Sequence, residues 1–207
     1  MSGDHAAVVL AAGSSRRLGQ PKQLLRREGE TLLHRAARLA AGTCPAVLTV
    51  VLPAQCEAWH ALLHDIDHRV LFNAAAGTGM ASSVRTAAPH VHRHARVLIV
   101  GCDQPALEAD HLRALLEGAA AAVSGCAATQ VEGCPSIPAV VPGQWFADVA
   151  HEGAATAAPA GHDQGFRQRL RALPADELFL LHAPALSRDI DTPQDLHAAQ
   201  AAGLVEG

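Results

Sequence analysis

Tyrosine is absent from the chain, and aromatic residues make up only 3% of its 207 positions. A core of this size must therefore be packed mainly from leucine, valine and alanine. Basic residues are not in excess either: 16 Lys and Arg stand against 20 Asp and Glu, a formal charge of −4. That balance argues against a general nucleic-acid binder, which carries a basic face. No apolar run reaches the length of a membrane span, so no membrane association is expected. The opening Met1-Ser2-Gly3-Asp4-His5 lacks the basic start and apolar segment of a signal peptide. The five cysteines are scattered, odd in number and form no C-x-x-C pair. A reduced, cytoplasmic protein with free thiols is the expectation, with pairing or metal binding by Cys126 and Cys134 the alternative. Neither Gly-Lys-Ser/Thr nor G-x-G-x-x-G occurs after the first strand, which excludes a P-loop and leaves a dinucleotide fold unsupported. Repeats and inter-domain linkers are missing as well, and one domain spanning residues 1–207 is expected.

What is present begins at Ala6. The run Ala6–Ala11 reads as a buried strand, and it breaks into a loop containing Gly13, Ser14, Ser15, Arg16, Arg17, Gly19 and Lys22. Glycine allows backbone N–H groups to approach an anion, and the cationic side chains supply charge, so the loop is suited to a polyphosphate. Its alternative is a surface turn with solvated arginines. A local cationic site in an acidic chain fits a small anionic ligand better than a polymer.

Hydrophobic periodicity then predicts helix over Glu30–Ala41 with Gly42 as its stop, and strand over Ala46–Leu52 closed by Pro53. Helix is predicted for Gln55–Asp65, strand for Arg69–Phe72, helix from Gly79 to Ala88, strand for Ala95–Gly101 and helix for Glu108–Gly118. Further on, strands are expected at Ala121–Gln130 and Ser136–Val141, the latter at an edge or bend because of Pro138. A short helix at Gly143–Ala150, a surface loop at Glu152–Gly161, a helix at Gln164–Leu173, a strand at Leu178–His182 and a last helix at Thr192–Ala202 complete the reading. Alternating strands and helices imply parallel crossovers and an α/β sandwich. Ligands in such sheets bind beyond the carboxyl ends of the strands, which brings the loops after Ala11, Asn73 and Val100 to one edge.

Asp103 ends a buried strand in Cys102-Asp103-Gln104-Pro105; it can hold a metal or cap the helix that follows. Gly77-Thr78-Gly79-Met80-Ala81-Ser82-Ser83 offers a helix start with two hydroxyls, either for a polar heterocycle or simply as a cap. Alternation puts Asp189 and Asp191 on one side of an extended segment, with helix capping as the other role for Asp191. His60, His64 and His68 repeat every four residues, and a solvated face is preferred over a metal site.

Leu10-Ala11-Ala12-Gly13-Ser14-Ser15-Arg16-Arg17-Leu18-Gly19, followed by Pro21-Lys22, resembles the signature of nucleotidyltransferases with a Rossmann-like fold. The resemblance is strongest to the molybdenum cofactor cytidylyltransferases and the wider molybdopterin-guanine-dinucleotide synthase-like group. It implies a three-layer α/β/α sandwich with a mostly parallel mixed sheet, as in nucleotide-diphospho-sugar transferases. By the same resemblance, Arg17, Lys22 and Asp103 are catalytic, and Leu10, Ala11, Ala12, Gly13, Ser14, Ser15, Gly77, Gly79, Met80, Ser82 and Ser83 bind the nucleotide. Asp103 holds Mg²⁺, and one of Asp191 and Asp189 completes that site or faces the acceptor. Pro138, Asp163 and Gly165 lie on the acceptor side, in Gly133–Ala139 and Gly161–Gly165. Phe166 departs from the family pattern, standing where a small residue is common, and either reshapes the acceptor pocket or packs in the core. The implied reaction moves a nucleoside monophosphate, CMP from CTP, to a phosphorylated acceptor such as molybdopterin, with a molybdoenzyme or its chaperone as the protein partner. The choice of CTP rests on Ala12, because guanine-using relatives tend to carry glycine there. The alternatives are GTP as donor, a sugar phosphate or methylerythritol phosphate as acceptor, and a non-catalytic nucleotide- or cofactor-binding module.

Overall fold

The computed structural model describes residues 4–155, 166–187 and 189–207. Along them the strands are β1 (His5–Leu10), β2 (Arg26–Arg27), β3 (Glu30–Thr31), β4 (Val47–Pro53), β5 (Arg69–Asn73), β6 (Arg96–Gly101), β7 (Cys126–Val131), β8 (Cys134–Pro142) and β9 (Leu178–His182). The α-helices are α1 (Leu32–Ala41), α2 (Met80–Val91), α3 (Ala109–Ala121), α4 (Gly143–Ala155), α5 (Arg167–Ala172) and α6 (Pro193–Ala201). Seven strands form one sheet in the order β5-β4-β1-β6-β8-β7-β9, and β2 pairs with β3 in a small separate hairpin. Within the large sheet only β8 runs antiparallel to its neighbours. This is the mostly parallel, mixed α/β architecture that the sequence implies.

Burial follows from position in the sheet. Strand β1 lies between β4 and β6 and its first five residues are buried on both faces, as a central parallel strand requires. One apolar layer lies between the sheet and α1 and α3, built from residues such as Leu33, Leu98, Leu112 and Leu115. Helices α2, α4 and α5 cover the other face over Val8, Val84, Val97 and Phe146. A third cluster joins Leu18 and Leu32 to Ile190, Ala199 and Val205, and so fastens the C-terminal segment to the first loop. Among the described residues no helix is long and apolar enough to cross a membrane, and the five cysteines are free.

Three expectations need correction. Gln55–Asp65 contains a 3₁₀ helix, Glu57–Leu63, and not an α-helix. Only Leu63 there is fully buried, so the segment lacks the apolar stripe that holds a surface α-helix in place. Ala121 ends α3 and does not begin a strand; β7 starts at Cys126, after a turn in which Gly125 has φ +69°. Of the edge or bend expected at Pro138 the structure has the bend, since β8 lies between β6 and β7. The bend was anticipated correctly: the register shifts opposite Pro138, where Ala128 pairs with Ala139 but Thr129 pairs with Ser136, and this bulge absorbs the missing N–H. Finally, α4 runs on to Ala155 instead of stopping at Ala150; the rest of the expected Glu152–Gly161 loop lies outside the described residues.

The turn from β8 into α4 leaves no room at Gly143, where an added Cβ would collide with the backbone oxygens of His94 and His92. A backbone wall cannot rotate away as a side chain can. Gly143→Ala is therefore expected to destabilise the fold by about 1–3 kcal/mol, read as a lower midpoint in urea unfolding.

Candidate active site

The loop after β1 is shaped from within by a residue that composition does not single out. Gln23 is fully buried, and its side-chain amide donates to the carbonyls of Ala11 (2.7 Å) and Gly13 (2.8 Å). Ser15 sits in the left-handed region at φ +48°, and its hydroxyl accepts from the Lys22 N–H at 3.2 Å. These bonds fold the loop back on itself and turn Lys22 inward. Gly13 contributes less steric relief than expected, since an added Cβ would meet only the Lys22 Cε at an ordinary 3.6 Å.

Lys22 is 8% exposed, and its ammonium donates to Asp103 Oδ2 at 2.6 Å and to Asp191 Oδ1 at 3.0 Å. Burial on its own would lower the lysine pKa, but attraction to Asp103 outweighs it and the net shift is upward, so the ammonium stays charged. Arg17 donates to the other oxygen of Asp191 at 2.6 Å. This second pair is open to solvent, with side-chain exposures of 72% and 41%, and holds weakly. Two cations and two carboxylates from three distant parts of the chain thus form one chain of ion pairs.

Local sequence explains how each acid arrives. Asp103 follows the C-terminal end of β6, where Gly101 makes room: a Cβ there would lie 2.7 Å from Asp103 Oδ1 and 3.2 Å from Ile137 Cδ1. Asp191 is delivered by its neighbour Ile190, which is fully buried and whose N–H bonds to the Asp103 carbonyl at 3.3 Å. Capping falls to Thr192, which exchanges bonds with Asp195 in a capping box at the start of α6; Asp191 is left free for the cations. The carboxyl of Asp189, an exposed residue, is pushed up to about 7, first by the protein packed around it and then by repulsion from Asp103. The neighbouring Cys102 thiol is buried and pushed up to about 12, which removes it as a nucleophile.

The second loop lies opposite. Gly79, at φ +104° and ψ −179°, takes a backbone conformation closed to other residues and starts α2. Asn73 is buried at the end of β5; its amide donates to the hydroxyls of Ser82 (2.8 Å) and Ser83 (3.1 Å), and its carbonyl accepts from the Ala75 N–H at 2.9 Å.

A cleft of about 520 Å³ opens where these parts meet, bounded by Leu10, Ala12 to Arg17, Lys22, Gly77, Gly79, Met80, Ser83, Asp103 and Asp191. A second cavity, about 590 Å³, lies beside it between Ala12 to Arg16, Pro53, Gln55, Trp59 and Gly77. Most of the residues chosen from the sequence therefore face one space. Ser82 does not: its hydroxyl donates to Gly79 O at 2.7 Å and it borders neither cavity. Ala11 is fully buried and borders neither, contributing a carbonyl to Gln23. Pro138 lies in β8 beside the cleft-lining Ile137. Asp163 and Gly165 lie outside the described residues. Arg16, given little weight in the sequence, borders both cavities. Gln23, Gly101 and Asn73 were missed; a polar residue directly after the loop lysine, and another at a strand end, are the only signals for two of them.

The donors suit a hard divalent cation. Asp103 and Asp191 present carboxylate oxygens on two sides of a shared cation, the Lys22 ammonium. Among the described residues no three His, Cys, Asp or Glu side chains lie close enough to hold a metal on their own. An ion bound here would complete its shell with water and ligand phosphate oxygens, which Mg²⁺ accepts.

Comparison with known proteins gives the same direction. Residues 7–178 match the family model described as the MobA-like NTP transferase domain. A 42-residue stretch is 60% identical to a protein of Synechococcus elongatus named "Probable molybdenum cofactor guanylyltransferase", covering 20% of this chain and 22% of that one. Over 111 residues the chain is 35% identical to "Nicotine blue oxidoreductase" of Paenarthrobacter nicotinovorans, covering 53% and 54%. The chain thus matches about a fifth and about half of these curated relatives. A nucleotidyl transferase structure from Methanothermobacter superposes with a TM-score of 0.75 over 97% of both chains at 18% identity, a likeness of fold.

Asp191 holds Arg17 and Lys22 in the free protein, so an anion entering the cleft must compete with it. Asp191→Asn is expected to bind inorganic pyrophosphate about threefold to tenfold more tightly in chelator-treated buffer, measured by calorimetric titration. Unchanged or weaker binding would show that the carboxylate does not hold the cations back.

Proposed function

The chain belongs to the MobA-like NTP transferase family, and from that premise we propose that it transfers a nucleoside monophosphate from a nucleoside triphosphate to a phosphorylated small-molecule acceptor, releasing pyrophosphate. The observation that carries this reading is the convergence of Lys22, Arg17, Asp103 and Asp191 on a cleft whose rim is the loop after β1. An acceptor phosphate is largely dianionic at neutral pH, because its second pKa is about 6, and needs no protein base. Its oxygen attacks the α-phosphorus in line, forming one P–O bond as the bond to the leaving β-phosphate oxygen breaks. Lys22 and Arg17 lower the cost of gathering this negative charge, and the loop backbone orients the phosphates. Asp103 and Asp191 would hold Mg²⁺, which when bound neutralises charge on phosphate oxygens. The inert Cys102 and the absence of any required covalent intermediate fit direct transfer.

For the donor we propose CTP, with the base in the cavity beside Trp59 and Gln55. Ala12 borders that cavity, and its methyl takes room that the glycine common in guanine-using relatives would leave. GTP is the second reading, favoured by the 60% identical stretch shared with a relative named for guanylyl transfer and by a cavity of about 590 Å³. One methyl gives modest discrimination, about tenfold to a few hundredfold at most. For the acceptor we propose molybdopterin or its molybdenum form, with Mg²⁺ as cofactor and a molybdoenzyme or its chaperone as recipient of the product.

Pyrophosphate release across the four triphosphates, with molybdopterin as acceptor, tests donor and acceptor together. CTP is expected to give the highest kcat/KM; a clear excess for GTP replaces the first donor reading with the second. Asp103→Asn and Lys22→Met should each lower kcat/KM by about a hundredfold with unchanged circular dichroism. Near-normal turnover by either variant contradicts the assignment.

A further inference from the structure

Residues 55–68 supply Gln55, Cys56 and Trp59 to the cavity of about 590 Å³ beside the cleft, yet little holds them there. Their only regular element is the 3₁₀ helix Glu57–Leu63, in which Leu63 alone is fully buried. Trp59, Leu62 and Ile66 pack half-buried against the core. A 3₁₀ helix has poorer hydrogen-bond geometry than an α-helix and adds little stiffness of its own. Among the described residues, one side-chain hydrogen bond joins this segment to another element: His34 Nε2 of α1 meets Asp65 Oδ1 at 2.8 Å.

We propose that His34 is a positioning residue for the nucleotide donor: carrying two ring protons, it clamps this segment to α1 and holds Trp59 and Gln55 in the cavity wall, and on losing one proton it lets the segment go. The proposal rests on the reading that places the donor base in that cavity. Geometry carries it. Nδ1 of His34 lies 2.5 Å from Glu30 Oε1, while Nε2 lies 2.8 Å from Asp65 Oδ1. A neutral imidazole has one N–H and one lone pair, so it donates to one carboxylate and turns a lone pair on the other. Both contacts are attractive only in the imidazolium. Burial alone would lower the pKa of His34, but the hydrogen bonds to Asp65 and Glu30 outweigh it and the net shift is upward from 6.5. The clamp is therefore whole below pH 6.5 and is lost as pH rises through the raised value.

Exposure decides which contact breaks. The Glu30 side chain is 18% exposed, Arg38 donates to both of its oxygens at 2.7 Å, and Arg35 stands 3.9 Å from Oε2. Asp65 is 52% exposed, so water replaces its lost partner. The neutral ring keeps its N–H on Glu30, and Asp65 departs with its segment. The other charged or titratable groups around the clamp are His64 beside Asp65, His60 and His68 stacked edge-on at 5.2 Å on the same segment, and Glu108 before α3, bonded to Arg35 at 2.7 Å. Among the described residues they supply no second bond from the segment to α1. One part-exposed pair is worth about twofold to fivefold in an equilibrium, enough to tune a donor site and not to build it.

Calorimetric titration with CTP and with GTP, at about pH 6 and about pH 9, compares the full-length protein with His34→Ala and with Asp65→Ala, the second an exposed change. Each variant should bind the preferred triphosphate about twofold to fivefold more weakly than wild type at the lower pH and equally at the higher. Titration of the nucleotide phosphates is common to all three proteins and cancels. In turnover at the lower pH the donor KM should rise by the same factor with kcat kept, because the wall meets the base and not the α-phosphorus. In a Trp145→Phe background Trp59 is the sole tryptophan. Its emission should change in a step above pH 6.5 that His34→Ala removes, while His60, His64 and His68 are present in both proteins. An equal deficit at both pH values, or an emission step that survives His34→Ala, overturns the proposal. A step that depends on His34, with equal nucleotide affinities in all three proteins, supports the clamp and overturns the place of the base beside Trp59. Pyrophosphate release with neither step nor deficit leaves nucleotidyl transfer standing and overturns the clamp.

Discussion

The Lys22 ammonium, buried and shared between Asp103 and Asp191, is the contact on which the rest of the site depends. A charge this far from solvent persists only with partners, and the two acids are themselves more stable beside it than beside each other. Removing the lysine would leave the acids to repel, while Asp189 nearby already has its carboxyl raised to about 7. The free protein therefore holds the Lys22 and Arg17 cations in self-made ion pairs. A bound polyanion and its cation can exchange partners with these pairs at little net cost, because like is replaced by like.

Distance in the chain makes this contact a product of the whole fold. The loop after β1 is closed by Gln23, Asp103 depends on the gap at Gly101, and Asp191 is carried by Ile190 in the cluster with Leu18 and Leu32. The parallel strands β1, β4, β5 and β6 all end on the same edge, so two cavities border the same loop. Cavity chemistry divides along it: backbone, serine and charge in the cleft, Trp59 and Gln55 on one side, aliphatic and aromatic walls on the other.

Much of this was legible beforehand because it follows from local pattern. Apolar runs ending in glycine- and charge-rich loops located β1 and β6, and the rule that ligands lie past strand ends brought the loops together. What local pattern could not supply was the direction a polar side chain takes. Ser82 looked available at a helix start but turns to Asn73 and Gly79. Gln23 carries no signal in its own type, yet two carbonyls of the preceding loop draw it into the core. Lys22 was read as free to meet phosphate, whereas its partners come from residues 81 and 169 positions away. Pro138 was legible only as an edge or a bend: its missing N–H is harmless at a bulge, and bulges depend on register with a neighbouring strand.

The central claim is that these charges direct transfer to the α-phosphorus. Labelling the α-phosphate of CTP and following it during turnover with molybdopterin tests this most directly. The account predicts that the label appears in the acceptor, one per unlabelled pyrophosphate released. Label recovered as free CMP, or transfer of the γ-phosphate with release of labelled CDP, would contradict it.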